Sequence, residues 1–406
     1  MGLIENLKSY SEEIQISDDK KDLLDSFLSN GFPTTKDEEW KYTSLKKVIA
    51  NEYNIENKGQ VVVDSVIEKY SLGFENQIIF SDGKLINIPT IKGVSISGFS
   101  EFESNTNNSI LNLNKSLSQN GFTISIDKNT VVESPIEILF ISTTETNFSQ
   151  YRNLISIAEN AEVKFVERIQ NLNNSSSFVN NFTRINCDKN TKIEYNKIQN
   201  NTSESQLIDT VNVYQEQDST CDINTLIFGG SFTRNNLNFE QNGFNCESNM
   251  NGVSVLDNNQ LADNHTFVDH KSANCRSNEM YKGIYLDNSK GVFNGKIMVR
   301  PDAQKIDAFQ SNNNLLLSEN SSIDSKPQLE IYADDVKCSH GCTIGQLDAD
   351  ALFYMRSRGI GVEEAKAVLT YAFASEAIEN ISVDQVKLLS KKLLAQKLNV
   401  ELDFSV

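Results

Sequence analysis

The sequence predicts a mainly β protein: a right-handed parallel β-helix (solenoid) core with α-helical N-terminal and C-terminal regions. Three observations carry that prediction. Helical periodicity disappears between about 75 and 335, where short alternating apolar pairs are separated by Asn, Asp, Gly and Lys turns. The pairs recur as a quasi-repeat of the length that stacked coils require. Helix start and stop signals crowd both ends of the chain. The elements divide into a helical N-terminal region over 1–75, a β-helix core over 76–345 and a helical C-terminal domain over 346–406.

In the first region Ile4, Leu7 and Tyr10 have helical spacing, and Lys20 to Leu28 forms a second segment stopped at Asn30-Gly31 before Phe32-Pro33. The only tryptophan follows, in Thr34-Thr-Lys-Asp-Glu-Glu-Trp40-Lys-Tyr42-Thr; a lone Trp beside a Tyr reads as a packing anchor. The first fifteen residues have no apolar run of signal-peptide length. The Met-Gly start resembles a myristoylation signal only loosely, because Asn6 stands where Ser or Thr is wanted.

The core pairs are Ile124-x-Ile126, Ile155-x-Ile157, Ile185-x-Cys187, Leu237-x-Phe239, Ile297-x-Val299 and Leu315-x-Leu317, most leading into an Asn-, Asp- or Gly-bearing turn. The early pairs lie about 30 residues apart once Val211-x-Val213 is set midway in the gap before Leu237. In a solenoid each rung buries one such pair and stacks its backbone on the next. Because the repeat is irregular, an antiparallel sandwich is the competing architecture.

At Asp348 the pattern turns helical again. Asp348 to Gly359 reads as an N-capped helix stopped by glycine. Val362 to Ile378 places Val362, Ala365, Val368, Leu369 and Ala372 on one face. Ser382-x-x-Gln385 then opens a third helix, Val383 to Leu398, in capping-box form.

Composition narrows the function. The chain carries 55 acidic against 37 basic residues, a formal net charge of −18, which repels nucleic acid and anionic membrane surfaces. No stretch approaches the ~18 consecutive apolar residues of a membrane helix. Six cysteines in a chain this long do not make a disulfide framework, so a cytoplasmic, reducing setting is expected. Sequons such as Asn147-Phe-Ser149 are then chance matches.

The chemistry concentrates in Tyr332-Ala-Asp-Asp-Val-Lys-Cys338-Ser-His340-Gly-Cys342. On a strand, Cys338 and His340 leave the same face roughly 6–7 Å apart. One thiolate and one imidazole suit Zn, Fe or an iron–sulfur species, yet a closed site wants about four ligands. No second pair stands at metal-site spacing, so half a site implies that something else supplies the rest. Gly341 is expected to interrupt the strand and leave Cys342 off the shared face. His265 and His270, with Cys275 nearby, point to opposite faces of a strand and read as structural or solvated. Gly291-Val-Phe-Asn-Gly295-Lys296-Ile297 lacks a spacer, the Ser/Thr and the following helix of a phosphate loop, and reads as a turn; no ATP site is seen. There is no Gly-x-Ser-x-Gly elbow.

The segment YADDVKCSHGCTIGQLDADALFYMRSRGI, Tyr332 to Ile360, closely resembles the signature of the SufB/SufD family of iron–sulfur cluster assembly proteins. Cys275-Arg-Ser, Tyr281-Lys-Gly-Ile, Gly291 to Ile297, Pro301-Asp-Ala-Gln-Lys and Gln310-Ser-Asn-Asn-Asn-Leu-Leu-Leu are similar to the same family, as is Pro33 to Thr43. The chain looks like the SufD branch: it is short for SufB, and no cysteine precedes Cys187, so the N-terminal cysteine cluster of many SufB proteins is missing.

The resemblance implies a β-helix with helical ends. It implies a non-catalytic scaffold that pairs with a SufB-like subunit and docks a SufC-like ABC ATPase, with a homodimer when alone. Cys338 and His340 fall where SufD carries its functional Cys and His, and would meet iron or a nascent cluster at the subunit interface. The helices from Asp348 to about Asn380 would dock the ATPase, with Asp348, Phe353, Tyr354, Arg356, Arg358 and Glu363 as contact residues. A carbohydrate-active β-helix enzyme of lyase type, using solenoid-face carboxylates, is the rival from another class. A homodimeric β-helix interaction protein with no metal role is a third reading.

Overall fold

Asparagine shapes this fold at its turns. The computed structural model describes residues 2–56, 61–102 and 108–399; Met1, 57–60 and 400–406, parts of the two expected helical regions, lie outside the described residues. Asn129, Asn160, Asn190, Asp218, Asn245 and Asn274 all hold φ between 55 and 62°, a region that Asn and Asp tolerate best among residues with a side chain. Their side chains also ladder: Asn160 Nδ2 donates to Asn129 Oδ1, and Asn190 Nδ2 to Asn160 Oδ1, each at 2.8 Å. The Asn-rich composition is thus a turn repeated along one edge of the molecule.

Between turns the chain forms β1 (Asn76–Ser81), β2 (Lys84–Asn87), β3 (Val94–Gly98), β4 (Phe122–Ile126), β5 (Ile136–Ser142), β6 (Phe148–Ile157) and β7 (Glu162–Asn171). Next come β8 (Ser177–Cys187), β9 (Lys192–Gln199), β10 (Ser205–Gln215), β11 (Thr220–Ile227), β12 (Phe232–Gln241) and β13 (Glu247–Leu256). The last are β14 (Leu261–His270), β15 (Arg276–Tyr285), β16 (Lys290–Val299), β17 (Ile306–Leu316), β18 (Ser322–Ile331) and β19 (Val336–Gly345). Successive coils contribute alternately to a 10-stranded sheet, β19-β17-β15-β13-β11-β9-β7-β5-β1-β2, and a 9-stranded sheet, β18-β16-β14-β12-β10-β8-β6-β4-β3. Among these strands of the described residues only β1–β2 and β3–β4, at the N-terminal end, pair antiparallel. The result is a parallel β-solenoid of about eight turns, and the sandwich alternative is excluded by the parallel ladders.

The apolar column is Ile124, Ile155, Ile185, Val213, Phe239, Val268, Ile297 and Leu329, in register from coil to coil. Two expectations shift. Val213, not Val211, stacks on Ile185, and Leu315 lies on β17 of the other sheet. A helix also interrupts the core: α5 (Ser109–Leu117), capped by the Asn108 side chain, lies where no helical periodicity was expected. It is pinned by Asn114 Nδ2, which donates to the Tyr151 and Asn180 carbonyls at 2.9 Å each.

Before the core stand α1 (Leu3–Glu13), α2 (Asp18–Asn30), α3 (Lys46–Ala50) and α4 (Asp64–Tyr70). Gly31 ends α2 with φ 74°, the left-handed stop glycine permits. Leu3, Leu7, Leu24 and Phe27 bury against Phe148, Phe178 and Phe232 on the outer face of the solenoid. The segment Glu38–Thr43 then runs as a strap across that sheet. Trp40 is buried as an anchor, its ring 3.8 Å from the Arg234 guanidinium, which pairs with Asp263 at 2.8 Å. Thr43 Oγ1 donates to Asp263 at 2.6 Å, and His265 bridges Asp263 (2.9 Å) and Glu39 (3.3 Å).

Burial alone would pull the His265 pKa down; the Asp263 carboxylate, helped by Glu39 and opposed by Arg234, holds it above the ordinary imidazole value. A raised folded-state pKa gives stability that is complete below about 6.5, the unfolded value, and is lost as pH rises through the folded one. The urea midpoint is expected to fall between pH 6 and 8.5, and the fall should shrink in His265→Asn. An identical fall in that variant would remove His265 from the account.

After the core come α6 (Ala349–Ser357), α7 (Val362–Ile378) and α8 (Asp384–Lys397). The expected apolar face of α7 is displaced. Ala365, Ala374, Ala377 and Ile378 are buried, while Val362 and Ala372 are exposed. Small residues let α7 sit close to the sheet, where Glu376 pairs with the buried Lys282. The capping box at Ser382 does not form, because its N–H and hydroxyl both donate to Glu194 on β9.

Candidate functional site at the open end of the solenoid

A solenoid must end, and its last coil has no successor to cover it. Strands β18 and β19 are terminal in their sheets, so each presents one unpaired ladder edge among the described residues. On β17 the inward positions Ala308, Gln310 and Asn312 are buried. On β19 the same register positions are Cys338, His340 and Cys342. These three side chains therefore occupy the interior-facing parity of a coil that nothing overlies.

Cys338 and His340 share a face, as their spacing predicts. Gly341 does not interrupt the strand: β19 runs through it to Gly345, and a Cβ placed there would meet nothing within 4 Å. An edge strand facing open space has no packing requirement for glycine to violate, so Cys342 joins the same face. Cys338 and Cys342, four residues apart, stand roughly 13 Å apart along the strand, too far for one metal ion. Cys342 Sγ meets Ser325 Oγ across the coil at 3.1 Å. Among the described residues no three His, Cys, Asp or Glu side chains converge to hold a metal ion. Among the described residues, then, the strand offers His340 with one thiol two places to either side, Cys338 half-buried and Cys342 exposed.

Cys338 is half-buried against Val336, Ala308 and Ala333. Burial pushes its thiol pKa up, and Asp307 adds to this, against a backbone hydrogen bond from Ala308 that favours the thiolate. His340 is exposed. Around them an apolar rim faces outward: Phe309, Ile331, Tyr332 (61% exposed) and Ile344 (51%). Apolar groups beside unpaired strand edges make a surface suited to another chain.

Sequence reasoning missed what lies under His340. Gln310 and then Glu279 stand in its register column, both fully buried. Burial pushes Glu279 up to about 7, opposed by hydrogen bonds from Thr266 and Gln310. The coil spacing, counted back from His340, is the signal that would have found them.

The remaining expected positions sort as follows. His265 faces outward into the strap and His270 inward, where its Nε2 is 3.0 Å from Ser277 Oγ. Cys275 is buried beside Cys246. Gly291 to Ile297 is not a turn but the body of β16. In α6 no residue is buried; Phe353 is 73% exposed and Tyr354 is exposed beside it, with the Arg358 guanidinium 5.2 Å from its ring. Arg356 is exposed, Glu363 pairs with Lys366 at 2.9 Å, and Asp348 caps α6 by accepting from Asp350 and Ala351 N–H groups. Among the described residues no helix is long and apolar enough to cross a membrane.

Comparison with known proteins shows the family. Residues 140–373 match the family model "SUF system FeS cluster assembly, SufBD core domain". The chain is 30% identical over 379 residues to the iron–sulfur cluster assembly protein SufD of Escherichia coli, covering 90% of this chain and 89% of that one. It is 27% identical over 391 residues to a SufBD family protein of Synechocystis, covering 89% and 85%. It is also 24% identical over 279 residues to SufD of Bacillus subtilis, covering 68% and 63%. The chain belongs to the SufBD family of iron–sulfur cluster assembly proteins, and within it is SufD-like.

Proposed function

We propose that this chain is a non-catalytic scaffold subunit of an iron–sulfur cluster assembly complex. It pairs through the open end of its solenoid with a SufB-like subunit, docks a SufC-like ABC ATPase through α6 and α7, and works in the reducing cytoplasm. The observation that carries the reading is the pair Cys338 and His340, side by side on a terminal strand whose outer edge is unpaired. Iron or a nascent cluster is the cargo of this site. Cys338 ligates as a thiolate and His340 as a neutral imidazole, and the partner completes the sphere. Because burial holds the Cys338 thiol protonated, iron uptake releases a proton and strengthens with rising pH. When no SufB-like partner is present, the same edges accept a second copy of this chain by strand addition.

The ATPase acts through the tail. ATP binding draws two ATPase copies together, and α6 and α7 pass the motion to the solenoids, shifting the interface and exposing the Cys338/His340 face. Glu376 on α7, paired with Lys282 on β15, is one physical link between tail and core.

Co-expression of the chain with a SufB-like subunit and a SufC-like ATPase, followed by purification through this chain, tests the reading. A complex holding both partners and iron is expected; a homodimer that captures neither would refute it. The variant Phe353→Ala/Tyr354→Ala should lose the ATPase while keeping the SufB-like partner. Exposed aromatic anchors of this kind contribute roughly 2 kcal/mol or more each, so affinity should drop by a factor on the order of 10³.

A further inference from the structure

We infer that Gln310 is a positioning residue for His340, held in that role by Glu279, an inference that rests on the proposed iron-binding role of His340. Glu279, Gln310 and His340 occupy successive places in one register column, on β15, β17 and β19. Adjacent strands in such a column are about 4.8 Å apart. Glu279 Oε2 accepts from Thr266 Oγ1 at 2.6 Å and from Gln310 Nε2 at 3.1 Å. The Gln310 side chain is fully buried, and its Oε1 has no partner among the described residues.

The planar amide decides where that oxygen is offered. Its nitrogen is committed to Glu279, one coil back. Its oxygen is the pole of the amide left without a partner, one register place beneath His340. Glycine on the facing sheet makes the arrangement possible, since a Cβ at Gly295 would stand 2.1 Å from Gln310 Nε2. A buried acceptor without a donor is costly; the exposed His340 ring makes no hydrogen bond to it in the structure, and a turn of that ring inward would bring the imidazole N–H of the next coil to it. An ionised Glu279 can only accept, and in that state it must face the amide nitrogen of Gln310 rather than its oxygen.

The consequence is a fixed tautomer. Acceptance of one His340 N–H by Gln310 Oε1 leaves the other ring nitrogen unprotonated and free to ligate. Gln310 touches no iron; it acts through the imidazole.

The test uses the full-length, metal-free chain with ¹⁵N-labelled histidine at about pH 8, above the ordinary imidazole pKa. With three histidines in the chain, three ring patterns appear, and His340→Ala assigns the one in question. The wild type is expected to show His340 as a single tautomer, and Gln310→Leu as two tautomers in exchange. The His265 and His270 patterns report whether the fold is intact; if Leu disturbs them, Gln310→Met is read in the same way. An averaged wild-type His340 overturns the inference, as does a single tautomer that survives loss of the amide. In the assembled complex, Gln310→Leu should lower iron affinity about tenfold. The tautomer is read without metal, so its outcome is distinct from failure of the iron-binding proposal.

Discussion

Replacing either Cys338 or His340 with alanine should cut the iron and sulfide carried by the assembled complex by about tenfold or more, the range typical of damage to a metal site. The fold should survive. His340 is exposed, and Cys338 sits half-buried on the terminal strand, so neither change opens a cavity inside the solenoid. On the proposed reading both donors serve one ion or cluster, so the double variant should lose little more than the worse single one. Cys342→Ala offers the contrast: its thiol lies beyond single-ion reach of Cys338, and its loss should leave iron content within about twofold of wild type. Iron and sulfide assays on complexes purified without oxygen read all four proteins. Normal content in both single variants would remove the pair from the site.

Arg234→Leu is expected to destabilise the chain by about 3–5 kcal/mol, the cost of stranding a buried charge. Arg234 and Asp263 are almost wholly buried, 2.8 Å apart, under the Trp40 ring. Burial pushes the Asp263 pKa up, yet Arg234 and then His265 outweigh it and hold the carboxyl well below its usual range. Removing the guanidinium leaves that carboxylate with only Thr43 and His265, and takes the packing surface from Trp40. The strap Glu38–Thr43 should then detach before the coils unwind. Urea unfolding measures the loss, and Asp263→Asn in the same background should recover part of it. Equal stability of Arg234→Leu and wild type would show that the network contributes nothing net.

The repeat was legible because an i, i+2 apolar pair is what each rung buries. Such a pair fixes phase only modulo two, however. Val211 and Val213 both point inward, so pattern alone could not choose which stacks on Ile185. Both sheets carry such pairs, and that is why Leu315 was grouped with the wrong one. In α5 Leu111-Asn-Leu113-Asn114 alternates like a strand, while Ile110, Leu113 and Leu117 stand at helical spacing, and the Asn108 cap with the Asn114 contacts favours the helix. Ser382 was read locally, whereas its partner Glu194 lies far away in sequence. The Cys338/His340 pair could be seen because period-two geometry is local. Gln310 and Glu279 could not, since only the coil register brings them under His340.

The most direct measurement is an anaerobic Fe(II) titration of this chain alone and of the chain bound to a SufB-like partner, each with and without the Cys338→Ala/His340→Ala change. Tight iron binding is expected only in the unaltered complex. Equally tight binding by the isolated chain, or binding that persists in the altered complex, would contradict a site built from two donors here and completed across the interface.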